Sequence, residues 1–209
     1  AVVAMLDQLA SFIETVIEKI GYLGVALLVG LENIIPVIPS EIVQPYAGFV
    51  AQKDGFSAVV VMVVVATIGS IIGALAMYWI AAEIGDDRLH LFIRKFGKWL
   101  HVRESDLNKA EEWFDRHATS AVFVGRCVPL IRSVISIPAG FRRMKLLPYT
   151  LYTALGSLLW NIALIGAGAL LGENWERVGR YVGVFQWVVI ALVAAAVARF
   201  VWTHVLKKP

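Results

Sequence analysis

Arg126 and Arg132 stand in a stretch, Ala121 to Phe141, that is otherwise largely apolar. Pro129 separates them, and Pro138 directly precedes Ala139-Gly140. Two guanidinium groups in hydrocarbon or in a dry core carry a large desolvation cost. An anionic ligand is the obvious compensation, and the paired planar donors of arginine fit a phosphate better than the point charge of lysine does. A second broken stretch supplies the opposite charge. It reads Glu32-Asn33-Ile34-Ile35-Pro36-Val37-Ile38-Pro39-Ser40-Glu41, followed by Gln44-Pro45 and Ala47-Gly48. Glu32 and Glu41 are candidates for pairing with the arginines or for carrying a coupled proton. Pro36, Pro39, Gly48, Pro129, Pro138 and Gly140 are read as residues that shape the turns. Purely structural Glu/Arg pairing is the alternative for all four charges.

Other chemistry is poorly provided for. The single cysteine, Cys127, makes no disulfide or cysteine metal site and reads as a small buried thiol. The four histidines lie outside the long apolar runs and show no metal-ligand spacing. No cofactor is expected. The net charge of +3 does not call for nucleic acid. A phosphatase would need a nucleophile and a base beside the arginines. Only Cys127 and Ser133 could attack, and no base is evident.

The elements holding these residues are those of an all-α integral membrane protein. Of 209 residues 59% are hydrophobic and 17% charged, which sets a soluble all-α core aside. Residues 1–19 form an amphipathic N-terminal helix, either interfacial or packed, with Leu6, Leu9, Phe12, Ile13, Val16 and Ile17 on one face. Residues 20–31 are too short to span alone. Three prolines and two carboxylates forbid a continuous helix after them, so a re-entrant hairpin is expected at about 31–51. Lys53-Asp54-Gly55 is a surface turn, and residues 57–82 are the clearest span. Gly69, Ser70 and Gly73 give that span a face for close helix approach.

Residues 83–118 are polar and read as amphipathic helices lying on the cytoplasmic surface. Leu89, Phe92, Ile93, Phe96, Trp99 and Leu100 share one face, and Ser105 caps a second helix. Basic residues flank the arginine stretch on both sides, ending in Arg142-Arg143-Met144-Lys145. Both of its ends therefore belong in the cytoplasm. A stretch of that length cannot cross and return as straight helix, so a second re-entrant hairpin is expected at about 121–141. Residues 146–171 cross outward, 172–177 form an external loop, and 181–203 return. Trp79 and Trp202 then fall at one membrane boundary and Trp175 at the other.

The two broken stretches share an order of features. Each has a charged turn, a proline, a second charge, Ala-Gly, and a Gly-Ser pair in the following span, Gly69-Ser70 and Gly156-Ser157. Since the spans run in opposite directions, residues 20–82 and 119–172 read as an inverted repeat within one membrane domain, 1–209, with residues 173–209 as the last span and tail. Transporters with a midplane site have that architecture.

On these residues the sequence resembles the DedA family, the bacterial branch of the SNARE-associated or VTT-domain membrane proteins. The carrying motif is Phe123-Val124-Gly125-Arg126, Pro129, Arg132 and Ala139-Gly140, with Glu32-Asn33 and the acid after Pro39 upstream. Many members have Pro-Gly-Asp where this chain has Pro39-Ser40-Glu41. The resemblance implies a transporter of lipid phosphate, either undecaprenyl phosphate or a phospholipid, in the bacterial cytoplasmic membrane and not an enzyme. It also implies proton or cation coupling. Small-ion transport by the same charges, a lipid phosphatase and a non-transporting scaffold are the rival readings. The expected partners are the lipid and the membrane, with a homo-oligomer as an open option.

Overall fold

The computed structural model describes residues 2–35, 40–86, 88, 90–91, 104–129, 131–175, 177–178 and 181. Pro36 and Pro39, the apolar face from Phe92 to Leu100 and the last span over 182–203 lie outside the described residues. The described chain is helical, with no strand. Its elements are α1 (Val2–Ile20), α2 (Tyr22–Glu32), α3 (Ser40–Gln52), α4 (Phe56–Ile84), α5 (Glu104–Arg126), α6 (Ile131–Val134), α7 (Ser136–Phe141) and α8 (Leu146–Leu171), with a 3₁₀ turn at Gly172–Asn174.

Helices α4 and α8 are long and apolar enough to cross a membrane. At 1.5 Å per residue, the 29 residues of α4 reach about 43 Å. The apolar surface of α4 has two sides. Val60, Val64, Ile68 and Ile72 face outward, while Ala66, Thr67, Ser70 and Ala74 are buried. Leu151, Leu155, Leu159 and Ile162 make the corresponding outer stripe on α8. The two helices run antiparallel. The Tyr149 hydroxyl donates to the Ala74 carbonyl at 2.9 Å, while further along α8 the Asn161 amide donates to Thr67 Oγ1 at 3.0 Å.

Helix α1 is packed and not merely interfacial. Ile13 and Ile17 are buried in the core with Val25 and Val29 of α2 and Val43 of α3. Tyr46 of α3 donates to Glu18 at 2.8 Å. Gly21 breaks α1 from α2 at φ +59°, ψ −131°, a conformation open to glycine alone.

Helix α2 ends at Glu32, and Asn33, Ile34 and Ile35 turn away. The helix that leads into the first break is α2, Tyr22–Glu32. The surface region and the arginine stretch are joined by one helix, α5, which passes through a kink at His117 (φ −124°, ψ 17°) and runs on to Arg126. The helix stops there because Pro129 lacks the amide proton that continuation would need. Residues 127–129 turn, and α6 and α7 follow as short pieces. Pro138 sits in the first turn of α7, where no amide donor is required.

Glycine sets how closely these pieces approach. A Cβ on Gly48 would lie 2.0 Å from the Ile165 carbonyl oxygen, and one on Gly168 would lie 2.0 Å from the Pro45 oxygen. Helix α3 is thereby seated on α8. Gly140 seats α7 on α4 in the same manner, 2.3 Å from the Tyr78 oxygen. Gly69 and Gly73 bring α2 onto α4, and Gly156 brings α5 onto α8.

Candidate functional site

Both arginines point into the protein. Arg126 is 2% exposed and Arg132 7% exposed, although each sits beside a helix break. Arg126 is the last residue of α5, held against α8 where Gly156 leaves room for its Cβ and Cγ. Its Nη1 donates to Asn33 Oδ1 at 2.5 Å. Its Nη2 donates to Ser136 Oγ at 2.7 Å and lies 3.4 Å from the Tyr149 hydroxyl. Asn33, Ser136 and Tyr149 come from three different segments, and Tyr149 is tied to Ala74 of α4. Among the described residues no carboxylate pairs with Arg126, and its Nε has no partner.

Arg132 is placed differently. It forms an ion pair with Glu32, donates to Ser40 Oγ, and lies with its guanidinium carbon 5.6 Å from the centre of the Trp160 ring. Glu32 is itself 4% exposed and keeps Oε2 unpartnered. Residues 32–33 at the end of α2 therefore reach both arginines: Glu32 takes Arg132, and the neighbouring Asn33 takes Arg126.

The site lies at mid-length of the spans. Arg126 packs on Gly156 and Arg132 on Trp160, both in the middle third of α8, and Asn33 lies against Gly73 in that of α4. Charge at such a depth is expensive and is kept where it has a use. Breaking a buried ion pair by removing one partner costs about 3–5 kcal/mol, because the other charge is left uncompensated. Arg126 already stands in that position, cushioned only by neutral oxygens.

The other residues singled out in the sequence divide clearly. Glu41 is half-buried in the first turn of α3, and no contact among the described residues joins it to either arginine. Its neighbour Ser40 makes that contact instead. Gly48 and Gly140 are helix-contact residues, Pro129 is buried in the turn between the arginines, and Pro138 is half-buried. Asn33 and Ser40 stand in the sequence only as neighbours of the acids Glu32 and Glu41, and nothing in the sequence marks Ser136, Tyr149 or Trp160 as site residues. Each is a common residue type, brought in from a distant segment.

A second cluster sits where α4, α5 and the chain after α7 converge. Arg142 reaches Asp86 at 2.6 Å, Asp115 at 2.5 Å and Glu111 at 3.5 Å, and His90 lies 3.1 Å from Glu111. The hydrogen bond from Arg142 holds the Asp115 carboxyl below its usual range. Burial, and then the charge of Asp86, push that of Glu111 up.

Antiparallel apolar helices, two broken helical stretches and buried arginines between them define a membrane protein of the VTT-domain class. Residues 38–170 match the VTT domain, and the chain belongs to that family. Among its relatives, the undecaprenyl phosphate transporter A of Staphylococcus aureus is 33% identical over 192 residues, 92% of this chain and 94% of that protein. Its counterpart from Bacillus subtilis is 32% identical over 203 residues, 97% of this chain and 96% of that protein. An alkaline phosphatase-like protein of Lactococcus lactis is 40% identical over 178 residues, 85% of this chain and 83% of that one. No solved structure matches the chain.

Proposed function

We propose that this chain is a lipid-phosphate transporter of the bacterial cytoplasmic membrane that carries undecaprenyl phosphate across it. The relatives named undecaprenyl phosphate transporter A, similar over nearly their full length, support the substrate. The observation that carries the reading is Arg126, a fully buried guanidinium whose partners among the described residues are all neutral, beside a second arginine whose acid, Glu32, also belongs to the site. A phosphate entering between them would supply the charge that Arg126 lacks and compete with Glu32 for Arg132. A displaced Glu32 carboxylate would take up a proton, coupling headgroup movement to pH.

The architecture proposed for this function is an inverted repeat. Helices α2 and α3 form one re-entrant hairpin, and the end of α5 with α6 and α7 forms the other. Two observations support it. The long helices α4 and α8 are antiparallel. Their packing is also exchanged: α2 lies on α4 and α5 on α8 within each half, while α3 crosses to α8 and α7 crosses to α4. The crossing contacts correspond in register, since Tyr78 follows Gly69 by the same nine residues as Ile165 follows Gly156. A headgroup held between two such halves is exposed to either side as one rocks against the other. The chain then spans the membrane several times, and the polyprenyl tail remains in lipid.

The test is flipping of fluorescent polyprenyl phosphate in proteoliposomes, with Arg126→Gln and Arg132→Gln as variants and phosphate release followed in parallel. Flipping by the wild type, lost in both variants without phosphate release, is the expected result. Release of phosphate would favour the hydrolase reading raised by the Lactococcus relative's name. Flipping by either variant at the wild-type rate would remove the arginines from the mechanism.

A further inference from the structure

Gln44 is fully buried, and neither atom of its side-chain amide has a partner among the described residues. It lies one helical turn after Ser40, which holds Arg132, and one turn before Gly48, which meets α8. Neighbours four apart on a helix are roughly 6 Å apart at Cβ, and helical side chains lean toward the preceding turn. Gln44 therefore leans toward the Arg132 end of α3. The helix contacts fix which part of α8 it faces. Gly48 sits opposite Ile165, and Gln52 reaches Gly172, so α3 and α8 run parallel. That register sets Ser40 level with Trp160, as the contacts of Arg132 with both require.

Other buried polar atoms are also open among the described residues: Trp160 Nε1 and Glu32 Oε2, both on side chains that meet Arg132, and Asn161 Oδ1 on the next residue of α8. Donors and acceptors are thus both unpaired, so a group that only accepts cannot satisfy them. A buried amide with both ends unpaired is costly in stability, and its retention is explained by a ligand that fills both. The carbonyl and NH₂ of one glutamine form a side-by-side acceptor and donor. Their complement is a group with an acceptor oxygen and an O–H on neighbouring atoms.

A phosphomonoester has that edge. Its second pKa is about 6; the two arginines favour the dianion and burial the less charged form, and with burial the larger of the two it is held as a monoanion carrying one P–OH. A phosphodiester has no P–OH and would turn an oxygen lone pair toward Gln44 Oε1.

We propose that Gln44 is a specificity-determining residue that selects phosphomonoester over phosphodiester headgroups by pairing with P–OH through Oε1 and with a second phosphate oxygen through Nε2. The inference rests on the lipid-phosphate reading, and its test separates the two. Purified full-length protein in detergent is titrated with polyprenyl phosphate and, separately, with phosphatidylglycerol. Binding is read by tryptophan fluorescence and native mass spectrometry. The wild type prefers the monoester. Gln44→Met lowers that preference about tenfold or more by weakening monoester binding, while its unliganded melting temperature is unchanged or higher. A residue with a merely structural role would not produce that combination. Wild-type preference also falls as pH is raised past the second ionisation of the phosphate, which tests the proposal without any variant. A Gln44→Met protein with the wild-type preference, or a wild-type preference independent of pH, overturns the role of Gln44 and leaves the transporter reading standing. Failure of the wild type to bind either lipid overturns both.

Discussion

Replacing Glu32 by glutamine tests the charge arrangement most directly. Among the described residues Arg132 has one acid, Glu32, and one hydroxyl, Ser40, all three nearly sealed from solvent, and beside them the face of the half-buried Trp160. Glu32→Gln keeps the shape and a hydrogen-bond acceptor but removes the counter-charge. The cost belongs at the lower end of that for a broken buried pair, about 3 kcal/mol. The same change should favour the ligand, because phosphate no longer competes with a carboxylate for Arg132. If half to all of that 3 kcal/mol is recovered on binding, affinity rises by about tenfold to a hundredfold. The assay is chemical unfolding in detergent micelles, with and without polyprenyl phosphate, followed by tryptophan fluorescence. The variant should be the less stable protein without lipid and gain more from the lipid than the wild type does. It should also lose the part of the pH dependence of binding that Glu32 contributes, keeping that of the phosphate's own second ionisation, and flip lipid slowly, because release has lost its competitor. Equal stability with and without Glu32, or equal stabilisation of both proteins by lipid, would refute the reasoning.

Neutralising both partners, as in Glu32→Leu with Arg132→Met, should restore most of the lost stability while abolishing phosphate binding, measured by the same unfolding assay. Gly48→Ala and Gly140→Ala should each destabilise by about 1–3 kcal/mol, because the added methyl meets backbone oxygen at 2.0 and 2.3 Å. Gly166→Ala should be close to neutral by thermal melting, since nothing lies within 4 Å of its Cβ position. Arg142→Met should leave Asp86 and Glu111 facing each other. The Glu111 carboxyl is already raised by burial, so the stability it contributes is present at low pH and lost as pH climbs through its raised range. Asp115, held low by Arg142, works in the opposite sense, and its contribution is lost as pH falls. Removing Arg142 abolishes the Asp115 effect and strengthens that of Glu111. The melting temperature of the variant should therefore drop more steeply than that of the wild type between pH 5 and pH 8.

Much of this arrangement could be read from the chain alone. The long apolar runs at 57–82 and 146–171 become α4 and α8 because twenty or more uncharged residues have few other stable forms. Pro129 ends α5 at Arg126 for a local reason, its missing amide proton. Ala47-Gly48 and Ala139-Gly140 were legible as special positions, but their use was not. Gly48 and Gly140 give one helix room to rest on the backbone of another, a use that only the packed helices reveal. Nothing in the local sequence shows that one helix, α5, runs from the polar region into the arginine stretch through a kink at His117.

The residue types and the broken helices follow from the sequence, because proline geometry and the cost of burying charge act locally and in any fold. Which acid meets which arginine does not. Glu32 and Glu41 are both carboxylates near prolines, yet helical register turns Glu32 inward to Arg132 and brings Ser40, not Glu41, against the same guanidinium. Arg126 is left with Asn33, Ser136 and Tyr149, drawn from positions up to 93 residues away in sequence. Only the packing of α2, α3 and α7 against the two long helices decides those neighbours, because contacts across such distances depend on the relative placement of whole helices.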